Sequence, residues 1–158
     1  QMGPVISPVQ HDRVMDYIRQ GQAAGASVAA GGTRIGNEGN FIAPTILTGT
    51  TPDMAVVREE IFGPVLCTMS FDDDDLDRIA KQANDSAFGL AGSVWTRDVS
   101  IAHKMVRRIR AGRIGVNTHG STDATIPTGG FKQSGWGREK GHEGLNLYTE
   151  TKSVIMAL

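Results

Sequence analysis

The feature that most restricts the fold is a change of period repeated between residues 64 and 117. Residues 64–71 read as a strand, and residues 72–84 as a helix whose start carries the run Asp72-Asp73-Asp74-Asp75, where negative charge favours the helix dipole. Residues 90–95 read as a second strand, 99–111 as a second helix and 113–117 as a third strand. Gly89 and Gly112 fall where helix-to-strand turns favour glycine. Strand, helix, strand, helix, strand at this spacing implies two crossover units, so the expected class is α/β, with a parallel sheet covered by helices.

Upstream, Ser7-Pro8-Val9-Gln10 carries a helix start: Ser as N-cap, Pro at the first helical position and Gln at the capping-box position. Val14, Tyr17, Ile18 and Gly21 recur at helical spacing, and Gly25 stands as a C-terminal stop. Residues 27–30 form a short strand candidate, residues 33–39 a glycine-rich loop, and residues 41–47, broken by Pro44, an extended edge segment. Residues 118–144 read as a long irregular loop, which in a compact domain points to function. Residues 152–158 form a terminal strand with no hairpin mate, so the partner edge is expected in another subunit or elsewhere in a longer polypeptide. The chain opens on Gln rather than Met, which suggests a piece of something longer.

Composition removes several classes of function. A net charge of -1 over 158 residues gives no electrostatic footprint for nucleic acid or an acidic membrane. The sequence shows neither a membrane-span run nor a signal segment at its start. A single cysteine is compatible with a reducing cytoplasm, the expected location.

Each chemically suggestive cluster has a plainer reading. The four consecutive Asp lack the spacing, glycine turn and bidentate Glu of a calcium loop and read as a solvated helix N-terminus. His11, His103, His119 and His142 are too dispersed for zinc, so no metal site is expected. Three of these histidines read as surface residues, whereas His119 lies just beyond Asn117, at the carboxyl end of a parallel strand, where open sheets place ligands. Residues 129–138, GGFKQSGWGR, fail as a phosphate loop because the Lys does not follow the last glycine and no strand leads in. Cys67 sits within a strand between apolar neighbours and reads as a small core residue rather than a nucleophile.

Seven ordered blocks resemble the C-terminal part of the aldehyde dehydrogenase superfamily: MGPVIS (2–7), FIAPTIL (41–47), REEIFGPVL (58–66), AND with FGLAGSVWTRD (83–98), RAGRIGVN (110–117), PTGGFKQSGWGRE (127–139) and YTETKSV (148–154). The resemblance implies NAD(P)-dependent oxidation of an aldehyde to a carboxylic acid. A cysteine attacks the aldehyde, the thiohemiacetal passes hydride to the nicotinamide, and glutamate-activated water hydrolyses the thioester. The family's nucleophile, general base, oxyanion-stabilising asparagine and dinucleotide-binding half precede the MGPVIS block, so none of them matches this sequence, and the chain alone is expected to be inactive.

Residue by residue, the resemblance makes Glu60 the glutamate that binds the nicotinamide ribose, Phe62 the aromatic beside the nicotinamide, and Glu59 structural. It places His119, Thr122 and Thr128 in the aldehyde tunnel, where hydroxyl residues stand at positions often aromatic; a wider, more polar pocket and a polar or amino-type aldehyde follow. Residues 1–147 then form part of the catalytic domain and residues 148–158 an oligomerisation strand, with Arg138 and Glu150 at the contact of a homo-oligomer. A competing expectation is a stand-alone remnant that serves only as an assembly module.

Overall fold

The computed structural model describes residues 2–71, 74–121 and 123–158. They fall into two compact units, residues 1–73 and 74–158, each with its own core.

In the first unit, helix α1 (Pro8–Ala23) starts as its sequence requires: Ser7 Oγ accepts from the Gln10 backbone N–H at 3.1 Å, with Pro8 in the first turn. Gly25, with φ 106, takes the left-handed conformation beyond its end. Strands β1 (Ser27–Ala30), β2 (Thr45–Thr48) and β3 (Val65–Cys67) form a sheet in the order β1-β2-β3, antiparallel across β1-β2 and parallel across β2-β3, with the short helix α2 (Ala55–Arg58) between β2 and β3. Val14 and Ile18 of α1 meet Leu47 of β2 in the core, all three at most 1% exposed. Burial of each such side chain contributes roughly 1.5–3 kcal/mol.

In the second unit, α3 (Leu76–Asn84) is capped by Asp75, whose carboxylate accepts from the backbone N–H groups of Asp77 and Arg78. Asp72 and Asp73 lie outside the described residues. Strand β4 (Phe88–Gly89) is followed by β5 (Ala91–Val94), then α4 (Val99–Arg108), capped by Asp98, and β6 (Arg113–Val116). β5 and β6 pair in parallel, with Ser93 opposite Gly115. Ala80, Val94 and Met105 form the core between these strands and the helices, joined by Ile101, Ile109 and Ile114.

The architecture is α/β with mixed sheets, and it corrects several expectations. Of the two crossovers expected, β5-α4-β6 forms; β3 pairs in parallel with β2, across α2, so the described strands do not form the single parallel sheet expected. β2 is the middle strand of its sheet rather than an edge, because Pro44 precedes the paired residues and its missing N–H falls outside the ladder. Gly89 lies in β4 rather than in a helix-to-strand turn. The stretch 118–144 is not wholly irregular: β7 (Phe131–Lys132) pairs antiparallel with β4, and α5 (Gly141–Leu145) leads into a 3-10 turn (Asn146–Tyr148). Residues 149–158 are exposed and in no strand of this chain, since no described edge supplies them a ladder. No helix among the described residues is long and apolar enough to cross a membrane.

Candidate cofactor and substrate site

The turn that follows α2 is built by one face of α1. Gln10, Arg13, Val14 and Tyr17 stand at helical spacings of three and four, and each engages residues 59–63. The Tyr17 hydroxyl donates to the Glu59 carboxylate at 2.5 Å. Arg13 donates to the Glu60 carbonyl at 3.2 Å, and its guanidinium lies 5.5 Å from the Tyr17 ring centroid. Gln10 donates to the carbonyls of Ile61 and Phe62. A Cβ on Gly63 would stand 2.5 Å from Val14, so only glycine lets the turn approach the helix this closely.

This scaffold presents Glu60 and Phe62 together. The Glu60 carboxylate is exposed and has no hydrogen bond or ion pair among the described residues, since its one bond is through the main chain. Phe62 is 73% exposed and held at φ 54, a conformation that favours glycine. An unpartnered carboxylate beside an uncovered ring suits a ligand with paired hydroxyls next to a flat heterocycle. The neighbouring Glu59 carboxylate is instead engaged within the chain, by Tyr17.

The second site is a cavity of about 220 Å³ on one face of β5-β6. Val94 and Ile114 point into the core, so the alternation of the strands turns Ala91, Ser93, Arg113 and Gly115 to the opposite face. The chain leaves β6 through Asn117, at φ 53, whose side-chain amide accepts from the Thr96 N–H and donates to the Thr96 carbonyl, both at 2.9 Å. His119 then folds back, and its Nδ1 shares a 2.7 Å hydrogen bond with Ser93 Oγ. Thr128, bridged to Glu139 through the main chain, lines the same cavity, as do Arg113 and Asp123. The backbone N–H and hydroxyl of Thr125 hold the Asp123 carboxyl below the usual carboxylate range.

The structure thus brings His119 and Thr128 to one cavity and Glu60 and Phe62 to one turn, in different units; Thr122 lies outside the described residues. Ser93, Arg113 and Asp123 escaped the sequence reading. Ser93 was within reach of it, because a residue next to inward-facing Val94 must face outward.

Other candidates resolve differently. Arg138 donates to the carbonyls of Gly130 and Gly137 and stacks 5.1 Å from the Phe131 ring; it makes no ion pair with Glu150 inside the chain. His11 is buried rather than at the surface, with Nδ1 3.1 Å from Asp12, because the helix turns it inward. Cys67 is half-buried and donates its thiol proton to the Val56 carbonyl; burial pushes its pKa up, the reverse of an activated nucleophile. Among the described residues, no group of three or more His, Cys, Asp or Glu could hold a metal ion.

The aldehyde dehydrogenase family model matches residues 1–154. The chain is 50% identical over 156 residues to an aldehyde dehydrogenase of Agaricus bisporus, covering 99% of this chain and 31% of that protein. It is 42% identical over 161 residues to a betaine aldehyde dehydrogenase of Sinorhizobium fredii, covering 100% of this chain and 33% of that protein. A solved NAD+ complex of an aldehyde dehydrogenase from Bacillus cereus superposes with a TM-score of 0.92 at 45% identity, over 98% of this chain and 31% of that one. The chain therefore spans about a third of the length of these relatives. With matched blocks from end to end and the same fold, the chain belongs to the aldehyde dehydrogenase family.

Proposed function

We propose that this chain acts, within a longer polypeptide, as the C-terminal part of an NAD(P)-dependent aldehyde dehydrogenase that oxidises an aldehyde to a carboxylic acid. The observation that carries the reading is the turn at residues 59–63, where the Glu60 carboxylate and the Phe62 ring stand uncovered on a braced backbone. When bound, the nicotinamide cofactor supplies the acceptor for the aldehyde's hydride. Glu60 would hold the cofactor by accepting hydrogen bonds from its ribose hydroxyls, and Phe62 would pack against its nicotinamide end. The cavity beside β5-β6 receives the aldehyde's side chain, with His119 and Thr128 lining it; Ser93 fixes the imidazole.

The polar side chains in the lining, Ser93, His119 and Thr128 among them, support a polar or amino-type aldehyde over a long apolar one. The nucleophile and general base come from outside this chain, a reading supported by the unreactive setting of Cys67 and by the share of the relatives that the chain spans. The tail pairs with a second copy to make a homo-oligomer, with Arg138 and Glu150 near the contact.

The test is Glu60→Ala in the full-length protein that carries this chain. Loss of two charge-assisted hydrogen bonds raises the KM for NAD or NADP by about tenfold or more, with the KM for aldehyde little changed. Steady-state kinetics with each substrate varied in turn measure this, and unaltered cofactor kinetics would refute the assignment.

A further inference from the structure

We propose that Gln10 is a positioning residue for the cofactor turn: its side-chain amide locks the left-handed backbone at Phe62 and so aims both the Phe62 ring and the Glu60 carboxylate. This rests on the cofactor reading of Glu60 and Phe62 given above. The position of Gln10 suggests a different task. At the third residue of α1, its side chain would close a capping box onto the Ser7 N–H. Only half of that box forms, because the Gln10 backbone N–H bonds to Ser7 while the side chain reaches across to the turn.

Nε2 lies 3.0 Å from the Ile61 carbonyl and 3.0 Å from the Phe62 carbonyl. A primary amide nitrogen has two N–H donors, so each carbonyl takes one and the donor capacity is filled. The site needs this. Phe62 is a non-glycine residue at φ 54, a conformation that persists only where its surroundings over-determine it. Two carbonyls pinned by one amide fix the peptide planes on both sides of Phe62, Ile61–Phe62 and Phe62–Gly63, from outside the turn. The anchor is rigid, for the buried Ile61 side chain holds the turn from below and Val14, one helical turn after Gln10, closes on Gly63. A bulky aromatic 73% exposed has little packing of its own to set its direction, so the backbone sets it.

The experiment is Gln10→Glu and Gln10→Met in the full-length protein carrying this chain. A carboxylate has the same shape and no donor at neutral pH, so it faces two carbonyls with lone pairs on both sides; Met keeps the length and lacks donors. Both variants are expected to raise the KM for NAD or NADP about tenfold while the KM for aldehyde stays within about twofold. The profile with pH separates positioning from general loosening. As the pH falls below about 4.3, the ordinary value for a Glu carboxyl, the introduced group regains a proton and one donor, so the defect of Gln10→Glu shrinks relative to wild type while that of Gln10→Met stays constant. Gln10→Met alone carries the kinetic test if the charged variant fails to fold.

Cofactor kinetics unchanged in both variants, with Phe62→Ala impaired, would overturn the role of Gln10 and leave the cofactor reading standing. Equal rises in both KM values would also overturn it. Phe62→Ala and Glu60→Ala both without effect on cofactor kinetics would instead overturn the reading of the turn itself, and this inference with it.

Discussion

Cys67 shows how neighbours decide what a side chain can do. Its thiol donates to the Val56 carbonyl at 3.1 Å, it packs against the core of the first unit, and burial raises its pKa. The thiolate fraction at neutral pH is therefore below that of a free cysteine, and alkylation at pH 7 is expected to be slower, speeding up as the pH rises past the ordinary value of about 8.5. The same shift has a stability consequence with a definite sign. The folded state favours the neutral thiol, so stability declines as the pH climbs above that ordinary value and the unfolded chain ionises first. Cys67→Ala is expected to retain the activity of the full-length enzyme, to cost about 1 kcal/mol at neutral pH, and to lose that alkaline decline. Iodoacetamide labelling and melting curves across pH measure the two effects; an enzyme inactivated by the substitution while still folded would return Cys67 to the chemistry.

The setting of Cys67 was legible because a strand pattern flanks it. Gln10 was half legible: its place at the helix start is local, whereas the carbonyls it binds are 51 and 52 residues away. Spacing along one helix reveals a face but never what the face meets.

At the level of elements, the sheet of the first unit depends on β2, which lies between an antiparallel and a parallel neighbour. Pro44 argues for an edge, but the ladder begins one residue later, at Thr45, whose N–H bonds to the Pro64 carbonyl. Pairing on both sides is what makes Leu47 wholly buried. Leu47→Ala is expected to cost about 2–5 kcal/mol, within the range where large apolar groups leave cavities. Chemical denaturation measures it. A cost below about 1 kcal/mol, typical of exposed positions, would contradict the central place of β2.

Helices α1, α3 and α4 and the β5-α4-β6 crossover were legible because their periods and caps are local: Ser7, Asp75 and Asp98 all cap as their positions require. The pairing of β3 with β2, and of β4 with β7, was not. Strand partners are chosen by contacts distant in sequence, and β4 and β7 are two residues each, too short to show a period.

At the scale of the whole molecule, the matched family and the exposed tail meet in one problem. Residues 149–158 are exposed, with Val154 at 76%, Ile155 at 98% and Met156 at 77%, and the described residues offer them no ladder. A β-branched, apolar run of this kind leaves its main-chain donors and acceptors open to another edge, and a second copy of the chain supplies one by symmetry. If pairing with that copy is its purpose, the energy comes from main-chain bonds along the ladder and from burial of alternate side chains. Deleting residues 149–158 from the full-length protein should then lower the assembly's mass to that of a smaller oligomer. Ile155→Asp should do the same in a milder, concentration-dependent way, because a charge on a buried interface face must be desolvated without a partner. Light scattering coupled to size exclusion reads both. An unaltered mass after the deletion would assign the tail to an edge within its own polypeptide, since an exposed apolar strand needs a ladder in either case.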